Sequence, residues 1–115
     1  MTTEMNNNAT TNNPEDTIQR DITKMLTLST DHISSDMELA MLRNGSTDEL
    51  GCTVYRYEFG YLIPCYSSLE DLQNRKESIV PEIYALMEYA QKLGCQWLRF
   101  DEDGEIVPDL PTYLL

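Results

Sequence analysis

"GCTVYRYEFGYLIPCYS", residues 51–67, is the stretch on which the reading of the fold turns. Tyrosine and valine dominate it, the residue types that fit a pleated, half-buried surface. Gly60 interrupts the run, which predicts two strands joined as a hairpin around residues 58–60. Pro64 has no amide hydrogen to give, so the second strand must end there or lie on a sheet edge. Tyr55, Tyr57, Phe59, Tyr61 and Tyr66 suit sheet packing, and any that stay exposed would suit an interface.

Working towards the N-terminus, "ITKMLTLS" (22–29) alternates Ile22, Lys24, Leu26 and Leu28 with Thr23, Met25, Thr27 and Ser29, the period of a strand. Between it and the hairpin, Ser34 or Ser35 can cap a helix that carries Asp36 and Glu38 at the positive end of its dipole. Met37, Leu39, Ala40, Met41 and Leu42 form its apolar stripe, and Asn44-Gly45 offers a left-handed stop. On the other side of the hairpin, Ser67-x-x-Glu70 has the capping-box pattern, and with Ser68-x-x-Asp71 it places acids in an opening turn. Ile79, Ile83, Leu86, Met87, Ala90 and Leu93 then recur at spacings of three and four, predicting an amphipathic helix from about Val80 to Leu93. Pro81 is tolerated only in its first turn, and Gly94 ends it. "CQWLRF" (95–100) reads as a strand with Cys95, Trp97 and Arg99 on one face and Gln96, Leu98 and Phe100 on the other. "DEDG" reverses the chain, and Glu105–Val107 is expected to return as a short fifth strand.

The fold class is therefore α+β: an antiparallel or mixed sheet of four to five strands with two to three helices in β-α-β-β-α-β order. That order is compatible with a ferredoxin-like split βαβ arrangement, to which Pro64 is the objection. Residues 1–20 hold five asparagines and five threonines and little that is apolar, so a disordered polar arm is expected there, with residues 21–115 forming one domain.

Composition narrows the function. Twenty acidic residues against eight basic ones give a formal net charge of −12 and a pI near 4.2. Such a field repels phosphates, which disfavours direct nucleic-acid binding and anionic membranes and leaves a basic protein surface as the natural partner. No apolar run reaches the roughly 18 residues needed to span a bilayer. The N-terminal residues lack the basic start and apolar stretch of a signal peptide, so a cytoplasmic location is expected. Cys52, Cys65 and Cys95 are odd in number and widely spaced, which argues for reduced thiols.

The densest acidic segment is "FDEDGEIVPDLP" (100–111), with Asp101, Glu102, Asp103, Glu105 and Asp109. Its prolines and strand-like flanks do not fit a calcium loop, which needs a terminal bidentate glutamate between helices. It reads as a solvated turn or as a patch that faces a partner. His32 is the only histidine, and no Cys or His pair has zinc spacing, so no metal and no cofactor is expected. Ser29, Asp31 and His32 do not make a hydrolase set, because an adjacent Asp and His cannot build the geometry of a triad. No glycine-rich phosphate loop is present.

Three segments taken together, "LSTDHIS", "YRYEFGYLIPC" and "LGCQWLRFDEDGEIVPDLPTY", resemble a small uncharacterised bacterial family associated with plasmids and integrated mobile elements, over about residues 25–113. The resemblance implies a role in element maintenance or in interference with host defence and transfers no catalytic residues. The expected function is a non-catalytic, acidic interaction module, in its concrete form an inhibitor of a nucleic-acid-binding protein by phosphate mimicry. Asp101, Glu102, Asp103, Glu105 and Asp109 would make the contact, joined by Glu70 and Asp71. The alternatives are a small enzyme or ligand-binding domain with a cleft lined by tyrosines and His32, or an accessory protein that forms a homodimer through a strand edge or its C-terminal residues.

Overall fold

The computed structural model describes residues 20–44 and 50–113. The polar arm expected over residues 1–20 lies outside them but for Arg20, as do the Gly45 cap and Leu114 and Leu115.

The four strands overlap the segments expected to form them, with β1 starting later than residue 22 and β4 shifted towards Asp101. β1 (Met25–Ser29), β2 (Tyr55–Tyr57), β3 (Gly60–Pro64) and β4 (Trp97–Asp101) form one sheet in the order β1-β4-β3-β2. β2 and β3 are the hairpin, with Tyr57 opposite Gly60. β3 runs antiparallel to β4, and β1 runs parallel to β4 with Met25 opposite Trp97 and Ser29 opposite Asp101. Pro64 is the last residue of β3, so an inner strand tolerates it by ending there.

The class is the expected one, a four-stranded mixed sheet with three helices, but the strand order departs from a ferredoxin-like sheet. A split βαβ leaves one strand between two parallel strands joined through a helix. Here β1 and β2 are separated by both β4 and β3, while β3 and β4 are antiparallel neighbours. Burial explains why the last strand takes an inner place. Phe100 lies between Leu28 and Tyr61, and Leu98 between Leu26 and Ile63; Phe100 and Leu98 are both 0% exposed. The expected fifth strand is reduced to a single parallel bridge, Leu28 with Glu105. Pro108, close behind it, cannot extend a ladder.

The helices cover the Tyr61, Ile63, Leu98 and Phe100 side. α1 (Ser35–Asn44) contributes Ala40 and Met41 to the core, α2 (Leu69–Gln73) contributes Leu72, and α3 (Pro81–Lys92) contributes Ile83, Leu86, Met87 and Ala90. Ser34 caps α1 by accepting from the Met37 amide at 3.2 Å. Its own amide and hydroxyl donate to the Glu82 carboxylate at 2.7 and 2.9 Å, which ties the start of α1 to the first turn of α3. Pro81 opens α3, and at its end Gly94 (φ +83°) donates to Gln91 while Cys95 donates to Ala90, the closure that a left-handed glycine permits.

Beyond β4 the chain crosses the end of β1 and is strapped to it. A side chain at Gly104 would stand 2.4 Å from the Leu28 carbonyl, so only glycine lets the turn pass this closely. The Ser29 amide donates to the Glu105 carbonyl at 2.8 Å. His32, 1% exposed, holds the rest: Nε2 accepts from the Val107 amide at 2.9 Å, so Nδ1 carries the proton and donates to the Pro111 carbonyl at 2.7 Å. Tyr113 donates its amide to the Asp31 carbonyl at 2.8 Å. Replacing His32 with Ala strands two backbone groups and should cost about 2–3 kcal/mol in urea denaturation. Amide exchange should accelerate at Val107 and Tyr113 more than at Leu62, because the strap opens before the sheet does.

Candidate protein-interaction face

The strand alternation that builds the core also leaves one side of the sheet without a helix among the described residues. Met25, Thr27, Tyr55, Tyr57, Leu62, Pro64, Trp97, Arg99 and Asp101 point to that side, and every one of them is half-buried or exposed. The Tyr55 and Trp97 rings lie 6.3 Å apart, with Tyr55 52% exposed. Tyr57 meets Phe59 edge-on at 6.4 Å. Arg99 crosses the middle and donates to the Thr27 hydroxyl at 3.0 Å. Large rings that keep water contact on an open surface are common anchors of protein recognition.

The acidic turn stands at one end of this face, and its carboxylates divide into two kinds. Asp101 belongs to the fold. It accepts from the Tyr57 hydroxyl at 2.5 Å and from the Asp103 amide at 2.8 Å, which folds the turn back on the hairpin. Tyr57 first, then that amide, with Arg99 adding its charge, hold the Asp101 carboxyl below the ordinary aspartate range. Partial burial, then the same carboxylate, push the Tyr57 phenol up to about 12. Glu102, Asp103, Glu105 and Asp109 carry the second kind. Glu102, Asp103 and Glu105 lie on the exposed part of the turn, and Asp109 is exposed further along the strap.

Around the corner of the same end lies an open groove of about 350 Å³ between α1, the hairpin turn and Glu102. Glu38, Glu58 and Glu102 line it, as do Arg56, Phe59 and Leu42, the last two 48% and 41% exposed. Glu38 also receives the Tyr61 hydroxyl at 3.4 Å. Glu38 and Glu58 are absent from the sequence-derived set, because they lie far from residues 100–111 in the chain and only the sheet order brings them near. No spacing rule would have found them.

Glu70 and Asp71 are not brought to this place. They open α2, which follows β3 at the Pro64–Trp97 end of the sheet, whereas the acidic turn is at the Gly60–Asp101 end. Ser68 rather than Ser67 caps α2, accepting from the Asp71 amide at 3.0 Å, and Ser67 donates to the Asp71 carboxylate at 2.5 Å. No group of three His, Cys, Asp or Glu side chains among the described residues could hold a metal ion. The cleft beside His32 is about 100 Å³, lined mostly by Ala85, Leu86, Leu110, Pro111 and Tyr113, and both ring nitrogens are already bonded to backbone. No helix among the described residues is long and apolar enough to cross a membrane.

Residues 25–114, from the first residue of β1 through the strap, match the model of the C-terminal domain of a family of unknown function, DUF5983. The chain belongs to this family. No curated protein and no solved structure matches it. In this DUF5983 domain the matched region contains the whole sheet, the bare face and the acidic end together.

The Tyr57–Asp101 bond is open to direct test. A carboxyl held low in the folded state adds stability that is full above the unfolded value and is lost as pH falls through the folded one. Tyr57→Phe should therefore raise the Asp101 midpoint towards the ordinary range in a carboxyl NMR titration, and acid unfolding should begin at higher pH. In the converse variant, Asp101→Asn, the Tyr57 phenolate absorbance should appear at lower pH than in the parent.

Proposed function

We propose that this domain is a non-catalytic interaction module that receives a basic, amphipathic segment of a partner protein. The reading is carried by one juxtaposition: a helix-free aromatic face on the sheet, adjoined at one end by carboxylates from three separate elements. Tyr55 and Trp97 offer the apolar anchor, while Glu58, Glu102 and Asp103, with Glu38 in the groove, offer the negative rim. A desolvated aromatic centre supplies affinity, and a charged rim supplies steering and choice of partner. In its most specific form the partner's cationic surface is one that binds nucleic acid, and the carboxylates take the place of phosphates, so the module acts as an inhibitor. Carriage on mobile elements would give such an inhibitor its targets in host defence. A second copy of the chain is the other occupant this face could take, since Arg99 and Asp101 both lie on it.

The single tryptophan lies on the proposed face, so its emission reports occupancy directly. A Lys/Leu amphipathic peptide should shift Trp97 emission, with affinity falling about tenfold or more as salt screens the contact. Glu58→Lys with Glu102→Lys should weaken binding to a similar degree, as should Tyr55→Ser. Glu70→Lys with Asp71→Lys makes the same change in net charge on α2, on the helix-covered side of the sheet, and should leave binding within about twofold. If the two reversals weaken it equally, attraction is to the overall charge and the face is not the site. Concentration-dependent mass without peptide would assign the face to a second copy.

A further inference from the structure

All three cysteines converge at the end of the sheet opposite the acidic turn. Cys65 directly follows β3 and donates its amide to the Gln96 carbonyl at 2.8 Å; Cys95 stands two residues before β4, and Cys52 three before β2. The hairpin register puts Tyr55 opposite Leu62. Carried three residues further, it sets Cys52 across from Cys65, on the helix side with Val54 and Ile63. The ladder does not continue that far, because Pro64 has no amide hydrogen for the facing segment. The two segments instead border an open cleft of about 310 Å³ lined by Cys52, Thr53, Pro64, Cys65, Tyr66 and Arg75. All three thiols are free, with Cys65 half-buried and the other two buried. Burial first, then Cys95 and Cys52, push the Cys65 thiol up to about 12, so Cys65 lies within electrostatic reach of both other thiols. Burial alone pushes Cys52 up to about 11.

We propose that Cys52 and Cys65 are a disulfide-forming pair, closed by exchange with a small anionic disulfide such as oxidised glutathione that enters this cleft. Cys65 loses its proton to solvent, and its sulfur attacks one sulfur of the entering disulfide. The Cys65–glutathione bond forms as the glutathione S–S bond breaks, and one glutathione leaves as thiolate. Cys52, deprotonated in turn, attacks the Cys65 sulfur, forms the Cys52–Cys65 bond and expels the second glutathione. Two protein thiols are oxidised and one glutathione disulfide is reduced to two thiols. Arg75, which lines the cleft and stacks over Tyr66 at 5.8 Å, supplies the cation that the tripeptide's carboxylates need. Because both thiols are held protonated, exchange is slow at neutral pH and quickens as pH rises, so closure records sustained oxidation rather than a brief pulse. Closure staples the splayed base of the hairpin that carries Tyr55.

Trypsin leaves each cysteine in its own peptide, 44–56, 57–75 and 93–99. The folded chain, treated with oxidised glutathione at mildly alkaline pH, should lose two hydrogens in mass and give a 44–56/57–75 cross-link. Cys95→Ser should form the same link at a rate within about twofold, and Cys52→Ser should stop at one glutathione adduct on 57–75. Arg75→Gln should slow adduct formation several-fold with oxidised glutathione but not with an uncharged disulfide such as oxidised dithiothreitol. A native link that runs chiefly to 93–99 would overturn the proposal. So would the absence of any link in the folded chain under conditions where the chain in urea cross-links freely.

Discussion

The pairing on which the molecule depends is the parallel one between its first and last strands. Met25 through Ser29 lie against Trp97 through Asp101, joining segments 72 residues apart. Once β4 is held between β1 and β3, Phe100 and Leu98 are enclosed from both sides, and the helices have one continuous apolar surface to cover. The same pairing ends β1 and β4 side by side at Ser29 and Asp101, so the chain leaving β4 meets the end of β1 at once. The closeness of that crossing is why Gly104 has no room for a side chain and why Glu105 finds the Ser29 amide. The acidic turn is therefore fixed by the sheet's order, and its charge is displayed from a rigid base.

Most of the local structure was legible because its signals are local. Period-two alternation marked the strands, Gly60 marked the hairpin, Pro81 and Gly94 bracketed α3, and the facing of Trp97 and Arg99 away from Leu98 and Phe100 followed from the pleat. What failed was long-range. Whether β4 lies between β1 and β3 or on the outer side of β1 depends on which rows of side chains fill the core, and no spacing in the sequence encodes it. Sequence alone does not divide Ser67 from Ser68 as the α2 cap, for a smaller reason: both serines have an acid three residues on, and only the path of the chain after Pro64 separates them. For His32 the sequence excludes a zinc pair and a triad but gives no sign of what the ring does. Its partners, Val107 and Pro111, are 75 and 79 residues away, beyond any local pattern.

The acidic segment was half legible for the same reason. Sequence shows five carboxylates in twelve residues but not how each is used. Asp101 closes its own turn through Tyr57 and the Asp103 amide, while Glu102 turns towards a groove it shares with Glu38 and Glu58. A count of acids thus overstates one stretch and overlooks two residues that the fold adds to it. Asp71, at the other end of the sheet, shows the converse: its carboxylate accepts from the Ser67 hydroxyl and sits at the positive end of the α2 dipole, so this acid is engaged by its own helix start.

These assignments bear on function by elimination among side chains. A buried imidazole with both nitrogens bonded to backbone holds the strap and has no lone pair left for a substrate. Thiols pushed to about 11 and 12 carry little thiolate at neutral pH and are poor nucleophiles there. Among the described residues, the exposed ring of Tyr55 beside Trp97 and the carboxylates of Glu58 and Glu102 at the groove are the groups on which the proposed recognition role would draw. The hairpin links the two ends of this arrangement: its turn carries Glu58 and Phe59, and its base runs to Cys52 and Cys65. A covalent closure at the base would restrain the strand that presents Tyr55, and through that short piece of chain the proposed redox change would reach the aromatic face.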